Sequence, residues 1–183
     1  MSADRVRDDV LRFWFDEIEP AQRWRADPDF DERIRARFGE LHRAVVQGEL
    51  YDWRREVGGR LAEIIVLDQF SRNLHRGHAA AFAADPMALA LAQEAVRGGH
   101  DQALPPQRRL FLYMPWMHSE SALIHRVAVA LFTALGLAEN LDFELRHKAI
   151  IDRFGRYPHR NAVLGRTSTP AELQFLSEPG SSF

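Results

Sequence analysis

The sequence contains no cysteine among its 183 residues. That absence excludes disulfides, thiolate zinc sites, iron–sulfur clusters and a cysteine nucleophile. Long apolar runs are missing as well, since none approaches the ~18 residues that a membrane-spanning helix requires. The charged start MSADRVRDDV also lacks the apolar stretch of a signal peptide. These features predict a cytoplasmic protein without membrane contact.

The chain as a whole has no excess of positive charge, with 24 lysines and arginines against 26 aspartates and glutamates. The formal net charge is −2, so the molecule has no general attraction for nucleic acid. One segment departs from this balance, because residues 151–166 contain four arginines and a single aspartate. No nucleic-acid partner is expected, but the segment could attract a small anion locally.

The composition is that of an ordinary globular protein. Hydrophobic residues make up 46% of the chain and charged residues 27%, which is typical of a folded domain. A chain of this length buries roughly 70% of its unfolded surface, enough for a full core. We predict a single helical domain over residues 1–183, with an ordered core at about 4–176 and a frayed tail at 177–183.

Glycine and proline separate apolar segments that have helical spacing. No segment alternates apolar and polar residues as a strand does, and no glycine-rich phosphate loop is present. We therefore predict an all-α fold of about eight to ten helices packed as antiparallel pairs. The predicted helices cover residues 4–18, 28–48, 59–74, 87–97, 105–113, 119–135 and 140–154, and a last one begins near residue 170.

Capping residues set several of these boundaries. The Asp-Pro pairs at 27–28 and 85–86 each predict an N-cap followed by proline in the first turn. Residues 169–172 have the spacing of a capping box. Pro115 predicts the end of one helix, and Ser119 or a neighbouring residue is predicted to cap the next. The tryptophans expected in the core or between helices are Trp14, Trp24, Trp53 and Trp116.

Three predicted helices carry ionisable residues on faces that should be buried. Asp68 and Arg72 lie four residues apart on the apolar face of the third helix, so they can form an ion pair. Glu120 continues an inward stripe, and His147 shares a face with isoleucines that follow it. A buried charge needs a partner, and removing one member of a buried pair costs ~3–5 kcal/mol. The stripe that Glu120 continues consists of Ile124, Val127 and Leu131.

The stretch RFGRYPHRN, residues 153–161, can supply the partners that these carboxylates require. Its arginines can each grip a carboxylate with two parallel hydrogen bonds. The sequence therefore predicts that Asp68 and Glu120 meet this stretch inside the molecule. If arginines outnumber carboxylates there, the surplus can bind an anion.

Three strings together resemble a bacterial family of uncharacterised proteins, domain of unknown function 924. The similarity covers about residues 10–176 and implies a tetratricopeptide-like fold of antiparallel helix pairs, but no activity. Ser71 and Tyr157 stand where that family often has proline and phenylalanine. Neither difference removes a polar group from the predicted site. The strings are LDQFSRN (67–73), RLFLYMPWMHSE (109–120) and RFGRYPHRNAVLGRTSTPAE (153–172).

The leading hypothesis is a binding module whose polar cleft forms where these strings meet. Its ligand would be a small anion, a carboxylate-bearing metabolite or an acidic peptide terminus, held by surplus arginine. No cofactor is expected. The residues predicted to bind the ligand are Asp68, Gln69, Arg72, Asn73, Ser119, Arg153, Arg156, His159, Arg160 and Asn161.

Two other hypotheses fit the same residues. In an enzyme, His118 or His147 would transfer protons beside Glu120, because histidine titrates near neutrality and a carboxylate can orient it. In a structural cluster, the charges would only fix helix register, and function would reside on an outer surface. A metal site at His118, Glu120, His147 and His159 is disfavoured, because no motif such as HExxH supports it.

Overall fold

The structure is a computed structural model, and it describes residues 3–181. Over that range the regular secondary structure is helical and contains no strand, so the all-α prediction is confirmed. No helix in this range is long and apolar enough to cross a membrane. The tetratricopeptide-like arrangement stays a prediction. The α-helices are α1 (Ala3–Arg12), α2 (Pro28–Val46), α3 (Val57–Ile65), α4 (Ser71–Leu74), α5 (Asp85–Arg97), α6 (Pro106–Met117), α7 (Ala122–Leu135), α8 (Ala138–Phe154) and α9 (Pro170–Leu176).

The helix at residues 57–74 forms the centre of the molecule. It consists of α3, a π-helical turn at Val66–Phe70, and α4. All side chains at 61–71 are buried, because α1, α2, α5 and α6 pack around this central helix. A π turn contains one residue more than an α turn and often marks a functional site. Here the π turn carries Asp68 and Gln69.

Aromatic rings fill the space between α1, α2 and the central helix. The ring of Phe38 lies 5.1 Å from that of Phe13 and 5.0 Å from that of Phe70. Trp14 meets Phe70 edge-on at 5.7 Å, an arrangement that aromatic pairs favour. A second π turn, Phe13–Glu17, prolongs α1 and points Phe13 and Trp14 into this core.

The helix caps predicted at residues 27 and 169 are present, and the cap predicted at residue 85 is wrong. Asp27 accepts two backbone amide hydrogen bonds at the start of α2. Thr169 and Glu172 form the predicted capping box, with side chain-to-backbone distances of 2.7 and 3.2 Å. Asp85 is not a cap but the first residue of α5, and its carboxylate binds two arginines instead.

The junction between α6 and α7 differs from the prediction. α6 continues through Pro115 to Met117. A proline this close to the C-terminus removes one backbone hydrogen bond and leaves the preceding turns intact. The N-cap position of α7, which begins at Ala122, belongs to the neighbouring Ser121 rather than to Ser119 itself. Ser119 instead offers its carbonyl oxygen to His125.

The inward stripe predicted for α7 is only partly correct. Ile124 and Leu131 are half-buried and pack against the core, whereas Val127 is 41% exposed. The fully buried face consists of His125, Ala128, Phe132 and Leu135. The prediction was displaced to one side of this face because it did not count His125 among the buried positions.

Trp24 is the exception among the tryptophans, since the other three are buried. It is 53% exposed and lies flat on Phe111, with the ring centroids 5.7 Å apart. Trp24 ends a five-residue 3₁₀ turn, Pro20–Trp24. So short an element has no extended face that could bury the ring.

The segment after α8 folds back onto the end of α6. α8 stops at Gly155, whose φ of 70° is a left-handed C-cap. Tyr157 and Arg160 follow and are buried. In the predicted tail, Ser181 Oγ donates to the carbonyl oxygen of Leu176 at 3.2 Å, and residues 182–183 lie outside the described range.

Candidate functional site

A polar cluster connects the π turn, the α6–α7 junction and the segment after α8. The central helix supplies the carboxylate most deeply buried, the junction supplies an imidazole, and the late segment supplies guanidinium groups. The late segment contacts Glu120 as expected, but the partners of the Asp68 carboxylate are Gln69, Arg72 and His118 rather than residues 153–161. We define the polar cluster as Asp68, Arg72, Asp85, His118, Glu120, Arg160 and Arg166.

Asp68 is fully buried in the π turn, and three donor side chains contact its carboxylate. His118 Nδ1 lies 2.7 Å from Oδ1, and Gln69 Nε2 lies 2.5 Å from Oδ2. Arg72 Nη1 is 3.3 Å from Oδ1 and donates to the Asp68 carbonyl at 2.7 Å. Burial alone would raise the pKa of Asp68, but the charge of Arg72 and the hydrogen bonds from His118 and Gln69 hold it well below its usual range. Asp68 is therefore an ionised acceptor.

The contact with Asp68 fixes the tautomer of His118. An ionised carboxylate can only accept, so the proton on His118 lies on Nδ1 and the lone pair of the neutral ring lies on Nε2. Burial, followed by the charge of Arg72, lowers the pKa of His118 against the opposing effect of Asp68. The side chain keeps 12% of its surface exposed. His118 is thus a neutral base near the surface, oriented by a carboxylate.

Asp85 lies between two arginines. Arg72 donates to both carboxylate oxygens, at 2.9 and 3.0 Å, and Arg160 Nη1 approaches Oδ2 at 3.3 Å. Arg160 also donates to the His118 carbonyl at 3.1 Å. Its guanidinium is held between the rings of Phe82 and Tyr157, 4.5 and 4.6 Å away, where cation–π attraction favours it.

Within residues 153–161 Glu120 is bound only by a backbone amide, and its arginine partner is Arg166, which lies beyond that stretch. Arg166 grips both carboxylate oxygens at 2.6 and 2.9 Å. The backbone amide of Tyr157 donates to Oε1 at 2.7 Å. Burial alone would raise the pKa of Glu120, but these hydrogen bonds lower it overall. Glu120 therefore holds the turn after α8 in place as a carboxylate.

Histidines surround the buried ring of Tyr157. The ring centroids of His125, His147 and His159 lie 6.3, 5.7 and 5.5 Å from it. The hydroxyl of Tyr157 donates to the Met117 carbonyl at 2.6 Å. Burial lowers the pKa of His147 to about 3 and that of His159 to about 4. Both rings are neutral at neutral pH.

His125 and Glu144 form a buried pair that the sequence analysis missed. His125 Nδ1 lies 2.7 Å from Glu144 Oε1, and both side chains are fully buried. His125 Nε2 carries a proton, because it donates to the Ser119 carbonyl at 2.8 Å. Burial raises the pKa of Glu144. The signal that could have found the pair is the helical spacing of His125 with the buried apolar positions of α7.

Several predicted ligand-binding residues have other tasks. Arg156 pairs with Glu172 at 2.6 Å, and Arg153 stacks on Phe154 at 4.6 Å. Asn161 accepts from Arg166 Nε, which orients that guanidinium. The ring of His159 lies beside that of Tyr157, and Ser119 contributes its carbonyl oxygen.

Asn73 is not part of the polar cluster. It donates to Asp31 of α2 at 2.8 Å, and Arg76 grips the same carboxylate at 2.6 and 2.8 Å. These residues border a cavity of about 490 Å³. The LDQFSRN string therefore contributes to two polar regions. The residues lining the cavity are Pro28, Asp31, Glu32, Arg35, Asn73, Leu74, His75, Arg76 and His78.

Charges within the polar cluster balance. Its three carboxylates, Asp68, Asp85 and Glu120, face three guanidinium groups. The surplus of arginine expected from the sequence is absent from the cluster, because Arg156 and Arg153 are used elsewhere. Residues 3–181 also contain no group of three or more His, Asp or Glu side chains arranged to hold a metal ion.

Comparison with known proteins supports the sequence resemblance. The family model described as a bacterial protein of unknown function, domain of unknown function 924, matches residues 10–180. A solved structure of the protein of unknown function ATU0120 from Agrobacterium tumefaciens is 38% identical, with a TM-score of 0.91, over 96% of this chain and 99% of that one. No curated protein matches the sequence. The chain belongs to the bacterial family known as domain of unknown function 924.

Proposed function

We propose that the polar cluster is an acid–base site in which His118 exchanges a proton with a small polar substrate. The observation that carries this proposal is the 2.7 Å contact between His118 Nδ1 and Asp68 Oδ1. It orients the imidazole and leaves the Nε2 lone pair as the proton acceptor. Proton transfer at Nε2 is therefore the chemistry that the cluster is best arranged to perform.

Asp68 supports both protonation states of the imidazole. When Nε2 accepts a proton, the imidazolium forms beside the Asp68 carboxylate, which stabilises the new charge. The lowered pKa of His118 keeps the ring neutral at neutral pH and allows the proton to leave again. Titratable groups with perturbed pKa values also gather at catalytic sites more often than elsewhere.

The rim of the cluster supplies groups that can position a substrate. The side chains of Glu120 and Arg166 keep 26% and 24% of their surface exposed. Because the charges of the cluster balance, binding requires hydrogen-bonding complementarity rather than a particular net charge. The proposed substrate is a small polar molecule whose acidic proton reaches His118 Nε2.

The test is turnover of cellular metabolites by the purified protein, followed by mass spectrometry. The wild type should convert at least one metabolite, and His118→Asn should lower that rate ~10²–10⁴-fold because the base is lost. The asparagine amide still donates to Asp68, so the fold is retained. His100→Ala, which alters a histidine outside the cluster, should keep the wild-type rate. Unchanged turnover in His118→Asn, or no turnover by the wild type, would refute the proposal.

A second candidate function is binding of a small anion in the cavity beside Asn73. The observation that favours it is the cavity volume of about 490 Å³, which lies in the range of small-molecule sites. Arg35, Arg76 and two histidines lie on its wall. Arg35 is half-exposed, so its guanidinium can turn towards a ligand. This site would serve the binding module that the sequence suggested.

Thermal unfolding with added inorganic phosphate, citrate and succinate tests the second candidate. At least one anion should raise the melting temperature, and Arg35→Ala should weaken its binding ~10-fold through loss of one ion pair. Arg43→Ala removes an exposed arginine from the same helix and should bind normally. Equal binding by the two variants, or no stabilisation by any of the three anions, would exclude this site.

A further inference from the structure

α7 carries a second apolar face that points away from the core. Leu123 is 60% exposed and Val127 is 41% exposed, and Ala130 and Ala134 are exposed as well. These residues follow one another at steps of four, three and four, so they form one strip along the helix. We define Leu123, Val127, Ala130 and Ala134 as the α7 strip.

The α7 strip lies opposite a face that is already buried. α7 packs on α6 and α8 through His125, Ala128, Phe132 and Leu135. A helix that is apolar on both sides is usually covered on both sides, and an exposed apolar strip of this kind marks an interaction surface. The strip contains no charged residue, and Arg126 is the only arginine, lysine or carboxylate on α7. A partner that is also apolar therefore fits it.

The order of large and small side chains in the strip indicates that the partner is the α7 helix of a second copy of this chain. Leu123 and Val127 occupy the N-terminal half, whereas Ala130 and Ala134 occupy the C-terminal half. A two-fold axis between residues 128 and 129 would pair two copies of α7 antiparallel. It would place Leu123 opposite Ala134 of the partner subunit and Val127 opposite Ala130 of the partner subunit. Every large side chain then faces a small one, which is how packed helices interdigitate.

We propose that the protein forms a symmetric dimer through the α7 strip. A two-fold interface uses the same patch on both subunits and so requires a self-complementary surface, which the strip provides. The inference does not depend on the proposed function.

The length of α7 sets the expected strength of the dimer. A helix of 14 residues is about 21 Å long, so one such helix pair forms a small interface of the kind found in weak complexes. We expect a dissociation constant of about micromolar order. The strip is exposed in the single chain, so the monomer should remain folded when the dimer dissociates.

Analytical ultracentrifugation over a concentration series tests the proposal. The wild type should change from the monomer mass to twice that mass as the concentration rises. Val127→Glu would bury a carboxylate opposite an alanine and should remain monomeric, with its helical circular dichroism unchanged. Leu173→Glu replaces a leucine of 59% exposure outside the strip and should dimerise as the wild type does. A wild type that stays monomeric at submillimolar concentration would overturn the proposal.

An exchange of residues tests the antiparallel register itself. Leu123→Ala leaves a gap against Ala134 of the partner subunit, and Ala134→Leu crowds two leucines together. Each single substitution should raise the dissociation constant ~10-fold or more. The double variant with both substitutions restores a large side chain opposite a small one and should return to near wild-type affinity. Failure of the double variant to recover would overturn this pairing, because a non-specific apolar contact would lose affinity without recovery.

Discussion

At the scale of single residues, buried charges in this protein depend on partners that are distant in the sequence. Asp85 lies between Arg72 and Arg160, whose side chains are 21% and 8% exposed. A guanidinium withdrawn from water is costly unless a carboxylate faces it. The consequence of losing a carboxylate should therefore depend on how deeply its arginines are buried.

Asp85→Asn tests this dependence. The substitution keeps the shape of the side chain but leaves the buried guanidinium of Arg160 without its carboxylate and Arg72 with Asp68 alone. We therefore expect the free energy of unfolding to fall by ~3 kcal/mol. Asp152→Asn is the matched control, since Asp152 pairs with Lys148 on the exposed side of α8, where a pair contributes ~0.3–0.5 kcal/mol. Urea unfolding of both variants gives the comparison. Equal losses in the two variants would contradict the argument.

The same dependence explains which site residues the sequence could predict. Asp68 and Arg72 are four apart on one helix, so helical geometry alone predicts their contact. His118 as the partner of Asp68 is 50 positions away, and no local pattern specifies that pairing. Arg166 replaced the expected arginines of residues 153–161 as the partner of Glu120, because a tertiary turn rather than helical periodicity sets its position.

At the scale of elements, periodicity predicted the existence of the helices better than their ends or faces. The central helix was expected at 59–74 and lies at 57–74, since its apolar residues are continuous. The two π turns were not predicted, because the extra residue shifts the apolar pattern by one position, and such a shift is hidden where neighbouring positions are apolar as well. The helix end predicted at Pro115 was wrong, since α6 continues two residues further to Met117. The inward face of α7 was only partly right, because a buried histidine counts as polar in an apolar pattern.

At the scale of the whole molecule, neutral buried histidines should control stability on the acid side. Burial lowers the pKa of His147 to about 3, and those of His159 and His42 to about 4. An unfolded histidine titrates near pH 6.5, so below that pH the unfolded chain binds protons that the folded chain does not. The stability from these rings is complete above pH 6.5 and is lost as the pH falls towards 4. Glu144 opposes this trend, because its raised pKa penalises the folded state at higher pH.

Chemical unfolding between pH 7.5 and pH 4.5 measures this loss, and His42→Gln isolates one contribution to it. The free energy of unfolding should fall by several kcal/mol over that range, beginning near pH 6.5. Carboxylates with lowered pKa values, such as Glu120, also make the protein less stable in acid, but only from about pH 4.5 downward.

In His42→Gln the amide can replace the contact between Nε2 of His42 and Ser71, which is 2.8 Å long. The slope of the free energy of unfolding against pH, taken around pH 5, should then decrease by ~1.4 kcal/mol per pH unit, which corresponds to one proton. A wild-type stability that is constant from pH 7.5 to pH 5 would show that these histidines take up protons in the folded protein as they do in the unfolded chain. An unchanged slope in His42→Gln would show the same for His42.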